Sequence, residues 1–327
     1  MMTADMEQPL VSICCITYNH AEYIRQCLDG FLMQNTSFSY EIIINDDCST
    51  DGTTDVIREY EERYPTQIEP IYHVENEYSK GVRGMFVTYC FPKAKGKYIA
   101  MCEGDDFWID PLKLQKQVDF METNPDYSMC CSDAIIFTNE RTLDWCRYNR
   151  SQQVPVKDII LGGGLFVQTA SLLFKRTLIK AEDYPEEARK CHVGDYPLQL
   201  FAALKGKVYW FAEKQVAYRY QSANSWTRRN LQFSFDKQLK DWQSELAMLD
   251  SMDLLSSNIY TQYFTRRKID FIYIKFLLYP KQHSLLKEYF CDITSLFSLK
   301  QRIVCFFVRT RLFKILRVLK SKIRKNV

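Results

Sequence analysis

The chain has 327 residues, 46% apolar and 25% charged, which allows about two domains and excludes a disordered or collagen-like polymer. The formal net charge is only +3, yet from Ile293 onward ten Lys or Arg stand without a single Asp or Glu, leaving 33 basic against 40 acidic residues elsewhere. No apolar run approaches the roughly 18–20 residues of a membrane span, and the best candidate, Phe271 to Tyr279, is interrupted by Lys275.

Val11 to Ile16 reads as a buried strand and Glu22 to Phe31 as a helix. Glu41 to Asn45, with three consecutive isoleucines, predicts a second strand. Thr53 to Tyr64 predicts a helix with Val56, Ile57, Tyr60 and Tyr64 on one face. A third strand is expected over Ile68 to Val74, a helical stretch over Gly84 to Phe91 and a fourth strand over Tyr98 to Cys102. Leu112 to Asn124 is a helix stopped by Pro125, and Met129 to Cys131 and Ala170 to Phe174 are further strands. Such alternation predicts an α/β fold: a mostly parallel sheet with helices on both faces. Beyond about Tyr220 the periodicity is helical, over Leu231 to Leu255, Ser257 to Tyr279 and Ser284 to Phe297, before the basic tail. The expected division is an α/β domain at 1–225, a helical region at 226–297 and a basic tail helix at 298–327. Twelve cysteines without C-x-x-C or zinc spacing read as reduced core residues of a cytosolic protein. The first ten residues, with Asp5 and Glu7, lack the apolar stretch of a secretory signal.

In open α/β sheets, ligands bind beyond the carboxyl ends of the strands. Thr17, Tyr18, Asn19 and His20 follow the first strand, Asp46 to Gly52 the second, and Glu103, Gly104, Asp105 and Asp106 the fourth. Three strand ends therefore converge on a crevice rich in carboxylates, which repel one another unless a cation or a hydrogen-bond donor compensates. Mg²⁺ or Mn²⁺ would supply that compensation and hold substrate phosphates. No GxGxxG fingerprint follows the first strand, so the dinucleotide-binding reading lacks its phosphate loop.

Val-Ser-Ile-Cys-Cys-Ile-Thr-Tyr-Asn-His (11–20), Asn-Asp-Asp-Cys-Ser-Thr-Asp-Gly-Thr (45–53), Asn-Glu-Tyr-Ser-Lys-Gly (76–81) and Cys-Glu-Gly-Asp-Asp-Phe-Trp (102–108) resemble the bacterial family-two glycosyltransferases over about residues 10–225. The resemblance implies a GT-A fold and transfer of a sugar from a nucleotide-diphosphate donor, a UDP-sugar, to a hydroxyl of a growing glycan, with inversion. It implies that Thr17 and Tyr18 line the base pocket, that Asp47 takes the base edge with Asp46 supporting the loop, and that Lys80 lies at the donor. Glu103, Asp105 and Asp106 would bind metal, diphosphate and ribose, the direct metal ligand being Asp105 or Asp106. The acceptor hydroxyl must lose a proton as it attacks, and the matching general base is Asp195 in Cys191 to Pro197. On position alone, Asp195 also reads as an N-cap of a helix over Leu198 to Leu204. His192 lies nearby. Gly163 and Gly164, in a triple glycine, would face the acceptor and permit close approach or loop motion. Where relatives often carry a histidine near the metal, this chain has Gln221, so the acidic motif and the diphosphate would hold the cation alone, while Arg219 would neutralise phosphate.

The tail carries an apolar stripe of Val308, Leu312, Ile315, Leu316, Leu319 and Ile323 among basic residues, the pattern of a helix lying in an anionic membrane surface. It has few polar base-reading residues, so nucleic acid is not expected as a partner. Together these features predict a cytoplasmic enzyme, peripheral on the inner face of the cell membrane, near lipid-linked acceptors. Two other classes use similar residues. A nucleotidyltransferase would need a basic phosphate loop, and residues 11–20 contain no Lys or Arg. A catalytically inactive nucleotide-sugar binding protein would not need Asp105, Asp106 and Asp195.

Overall fold

The computed structural model describes residues 8–138, 141–179, 182, 184–220 and 233–310. They divide into two compact units, the first ending at Ser257 and the second beginning at Asn258.

In the first unit the strands are β1 (Val11–Thr17), β2 (Tyr40–Asp46), β3 (Ile68–Tyr72), β4 (Tyr98–Glu103), β5 (Phe107–Trp108), β6 (Tyr127–Phe137), β7 (Thr142–Trp145), β8 (Gln152–Val154), β9 (Leu173–Lys175) and β10 (Lys207–Arg219). They form one mixed sheet in the order β3-β2-β1-β4-β9-β6-β10-β5, with β7 on β6 and β8 on β10. The ladders among β1 to β4 and between β6 and β10 are parallel, and β9 joins the two groups antiparallel to both. The isoleucines of β2 and Val11, Ile13, Cys14 and Cys15 of β1 are fully buried, as parallel strands covered on both faces require. Around the sheet pack α1 (Ile24–Leu32), α2 (Thr53–Arg63), α3 (Lys113–Thr123), α4 (Val156–Gly162), α5 (Glu186–Arg189), α6 (Asp195–Lys205) and α7 (Phe235–Leu255). Gly30 lets α1 lie on β5, since a Cβ there would meet the Trp108 backbone N at 2.9 Å.

Local chemistry moves several boundaries. Within Ala170 to Phe174 only the last two residues belong to a strand. Thr169–Ser171 is a 3-10 turn, because the Ser171 amide and hydroxyl both donate to the Gln168 carbonyl. Phe86–Cys90 winds as a π-helix, with the Phe91 amide reaching back to the Phe86 carbonyl. The helix expected from Leu198 begins at Asp195, since Pro197 falls in the first turn, where its missing N–H is not needed.

The second unit holds α8 (Thr261–Leu278), α9 (His283–Tyr289), α10 (Cys291–Ser295) and α11 (Leu299–Arg309). Phe264, Ile272, Phe276 and Leu286 are buried, and His283 Nε2 meets the Phe276 carbonyl at 2.7 Å. A reciprocal capping box of Ser298 and Gln301 starts α11. Residues 311–327, with all of the apolar stripe except Val308, lie outside the described residues. Among the described residues no helix is long and apolar enough to cross a membrane.

Candidate active site

Strand register brings the three polar strand ends side by side. Thr17 pairs with Asp46, and Ile16 pairs with Glu103. The turns beyond β1 and β2 are then laced together: the amides of Asn19, His20 and Ala21 donate to Ser49 Oγ, Thr53 Oγ1 and Asp51 Oδ2 at 2.9, 2.8 and 3.0 Å. Tyr18 lies in this turn, half-buried. Asp46 is buried as a brace, accepting from Ser49 Oγ and Thr54 Oγ1, both at 2.5 Å. Asp47 reaches the other way. Its two oxygens accept the amides of Glu77 and Tyr78 at 2.7 and 3.1 Å, fixing the loop that carries Lys80. Lys80 Nζ is paired with Glu75 and Glu77.

The acidic motif sits tightly on β1. A Cβ at Gly104 would stand 2.6 Å from Thr17 Oγ1 and 3.1 Å from His20 Nδ1, so glycine is required by space alone. His20 lies between Thr17 Oγ1, 3.2 Å from Nδ1, and Asp105 Oδ2, 3.9 Å from Nε2. The buried Asp106 accepts the Arg219 amide at 2.8 Å through Oδ1, while its Oδ2 is buried without a hydrogen-bond partner. The Arg219 guanidinium packs on Tyr23 and Phe107 and meets Gln26. Arg219 thus stands at the acidic motif. Burial and the Asp105 and Asp195 charges push Glu103 up to about 8, and burial with Asp105 and Glu103 pushes Asp106 well above the usual carboxylate range.

Asp195 is among the charges that raise Glu103. It is the first residue of α6, following Gly194, and Gln199 Nε2 one turn on donates to its Oδ2 at 3.1 Å. Burial raises Asp195 to about 6, the amides of Tyr196 and Asp195 itself oppose this, and Glu245 adds to it. The triple glycine lies against the same helix start. Gly163 has φ +63°, a Cβ at Gly164 would contact Tyr196, and the Tyr196 hydroxyl donates to the Ile160 carbonyl at 2.8 Å. Arg147 holds the far side of the loop through the Leu165 and Phe166 carbonyls. His192 is turned toward α7, where Ser244 and Glu245 meet it. Gln221 lies outside the described residues.

The residues present fit a divalent cation completed by its substrate. Among the described residues no three His, Cys, Asp or Glu are grouped to hold a metal ion unaided. The unpartnered Asp106 Oδ2 and the nearby Asp105 nevertheless offer hard oxygens in a crowded anionic site, and Mg²⁺ and Mn²⁺ use one or two carboxylates plus phosphate oxygens.

Two residues of the site escaped the reading of the sequence. His20 stood among the polar strand-end residues but had no role until Gly104 brought Asp105 against it. Glu245 left one trace: it falls on the apolar face of α7, three residues after Trp242 and four before Leu249.

Residues 12–181 match the family described as "Glycosyl transferase family 2", and the chain belongs to that family. Its fold is the GT-A fold, as in Staphylococcus aureus TarS in complex with UDP-GlcNAc, a structure 14% identical with a TM-score of 0.59 over 97% of this chain and 92% of that one. Among relatives, the uncharacterized protein Rv1520 of Mycobacterium tuberculosis is 35% identical over 222 residues, 66% of this chain and 60% of the relative. The chain therefore spans about three-fifths of that relative's length, 60%. The Escherichia coli UDP-Glc:alpha-D-GlcNAc-diphosphoundecaprenol beta-1,3-glucosyltransferase WfaP is 39% identical over 115 residues, 35% of this chain and 42% of the relative.

Proposed function

We propose that this protein transfers a sugar from a UDP-sugar to a hydroxyl of a glycan or lipid-linked glycan, with inversion at the sugar carbon. One observation carries the reading: register sets the strand ends at Thr17, Asp46 and Glu103 side by side, with Asp106 Oδ2 buried and unpartnered, an acidic crevice suited to a diphosphate and its cation, while Asp195, at the start of α6, is raised by burial to about 6. A base with that proton affinity is ionised at neutral pH yet basic enough to take a hydroxyl proton. Thr17, Tyr18 and Asp47, with the loop it fixes, would receive the nucleotide. Asp105 and Asp106 would hold a divalent cation, which when bound offsets charge on the leaving diphosphate. Asp195 would take the proton of the acceptor oxygen as that oxygen attacks from the face opposite the diphosphate. The glycine loop beside Tyr196 would receive the acceptor. The UDP-sugar is supported by the donors in the names of TarS and WfaP, and the lipid-linked acceptor by that of WfaP.

We place the protein at an anionic membrane surface on the cytoplasmic side through residues 298–327. Leu299, Ile303 and Phe306 line one side of α11 and are 75, 46 and 58% exposed, with Lys300, Arg302 and Arg309 on the same helix.

Release of UDP from UDP-glucose and UDP-GlcNAc by the full chain, with and without glycan acceptors, tests the function. Asp195→Asn keeps the shape without the proton affinity, and should retain UDP binding while losing roughly 10²–10⁴-fold in turnover. Turnover within a few-fold of the parent would refute the role of Asp195.

A further inference from the structure

A side-chain amide buried in an apolar helix face costs free energy for every polar atom it leaves without a partner. Gln199 is such a residue. From Pro197 to Leu204 it is the one polar side chain of α6, and it is 0% exposed. Its Nε2 donates to Asp195 Oδ2 at 3.1 Å, one turn back along the same helix. Its Oε1 is buried with no hydrogen-bond partner. A methionine or leucine would pack in this place without an orphaned oxygen. The amide is therefore bonded at one end only, and that end holds Asp195.

The orientation of the amide follows from its neighbour. An ionised carboxylate only accepts, so the NH₂ and not the oxygen must face Asp195. The backbone at Asp195 is already fixed, since it opens α6, and the next side chain, Tyr196, donates its hydroxyl to the Ile160 carbonyl at 2.8 Å ahead of the glycine loop. What remains is rotation of the carboxylate about its own side-chain bonds. The bond from Gln199 removes that freedom, because fixing Oδ2 also fixes where Oδ1 points. A general base works only within hydrogen-bond reach of the proton it takes, and a displacement of about 1 Å can cost roughly 10²-fold in rate.

We propose that Gln199 is a positioning residue for the transfer, its amide N–H aiming the Asp195 carboxylate at the acceptor hydroxyl. This rests on Asp195 being the general base. Gln199 neither gains nor loses a proton in this role. It acts through one hydrogen bond to one oxygen, and the orphaned Oε1 is what the fold tolerates to keep that donor in place.

Gln199→Met tests the proposal in the full chain. Methionine matches glutamine in length, lacks the donor and removes the orphaned oxygen. UDP release from UDP-glucose or UDP-GlcNAc with glycan acceptors is followed on the alkaline plateau of the rate, where Asp195 is ionised in parent and variant alike. The kcat should fall about 10- to 100-fold, with the donor KM and the calorimetric UDP affinity unchanged and Tm at or above that of the parent. A glutamine kept for stability alone would give the opposite pattern, a lower Tm at parental kcat. Gln199→Leu, which suits the same apolar packing, takes its place should the methionine variant fail to fold. A cycle with Asp195→Asn supplies the second readout. If Gln199 acts only through Asp195, adding Gln199→Met to Asp195→Asn causes no further loss of kcat. Parental kcat in the folded Gln199 variant, or losses that multiply in the double variant, overturn the proposal. Asp195→Asn releasing UDP as fast as the parent overturns the base reading instead, so the two failures are distinct.

Discussion

The backbone amide of Arg219 donates to Asp106 Oδ1 at 2.8 Å, tying the last acid of the motif to the end of β10, 113 residues away. Asp106 therefore cannot turn from its neighbours, and its second oxygen stays buried and unpartnered. The strain of this arrangement is electrostatic, and it should be visible in stability.

Glu103 and Asp106 are both raised, first by burial and then by neighbouring carboxylates, Glu103 to about 8. The folded state thus binds these protons more tightly than the unfolded chain does. For Glu103 the stabilisation is complete below its unfolded value of about 4.5 and is lost as pH climbs toward about 8, and Asp106 contributes in the same direction. A divalent cation competes with the same protons. Thermal unfolding should show Tm falling over this window, and Mn²⁺ should raise Tm far more at about pH 8.5 than at about pH 5.5. An equal gain at both pH values would show that the cation binds elsewhere.

Gly104→Ala should damage the site through space alone. The new Cβ would meet Thr17 Oγ1 at 2.6 Å and Thr17 Cβ at 2.8 Å, and overpacking of this kind costs on the order of 1–3 kcal/mol. Calorimetric titration should show weaker UDP binding alongside a lower Tm. Gly164→Ala, whose nearest neighbour would be 3.8 Å away, is the control and should hold its Tm. Parental Tm and UDP affinity in Gly104→Ala would mean that the acidic motif tolerates displacement.

Asp47→Ala removes the acceptor of the Glu77 and Tyr78 amides and frees the loop that carries Lys80. Losing buried hydrogen bonds of this type costs about 1–3 kcal/mol. If that cost falls on the nucleotide site, UDP binding weakens roughly 5- to 150-fold. An unchanged UDP affinity with a lowered Tm would make Asp47 a loop brace and nothing more.

The tail prediction is read by flotation. The full chain should float with anionic liposomes at low salt and lose this at high salt, since each basic residue near such a surface contributes about 1 kcal/mol. A chain ending at Ser298 should stay behind. Equal flotation of the two, or none by the full chain, rejects the anchor.

Much of this arrangement was legible in the sequence, for physical reasons. Buried parallel strands must be continuously apolar, so Val11 to Ile16 and Glu41 to Asn45 stood out, each lengthening by a residue or two in the structure. The acids that follow them were conspicuous because ligands gather at such strand ends. Positions fixed by distant partners were less visible. A lone glutamate in a helical period reads as a solvated face, and only tertiary packing puts Glu245 beside His192, 53 residues earlier. The turn at Thr169–Ser171 was hidden for the opposite reason, since local hydroxyl bonds overrode an apolar pattern that suggested a strand.

The family match ends at residue 181, whereas Asp195, Gln199 and Glu245 come later in the chain. Thr17, Tyr18, Asp47, Asp105 and Asp106, proposed to hold the nucleotide and its cation, thus lie in the matched segment, the glycine loop proposed for the acceptor lies near its end, and the proposed base lies just beyond it. Such a layout behaves like a shared handle with an exchangeable blade. If the proposed assignments hold, swapping residues 156–257 between relatives should change which hydroxyl is glycosylated and leave the nucleotide requirement as it was, so a common nucleotide-sugar grip could serve many different products.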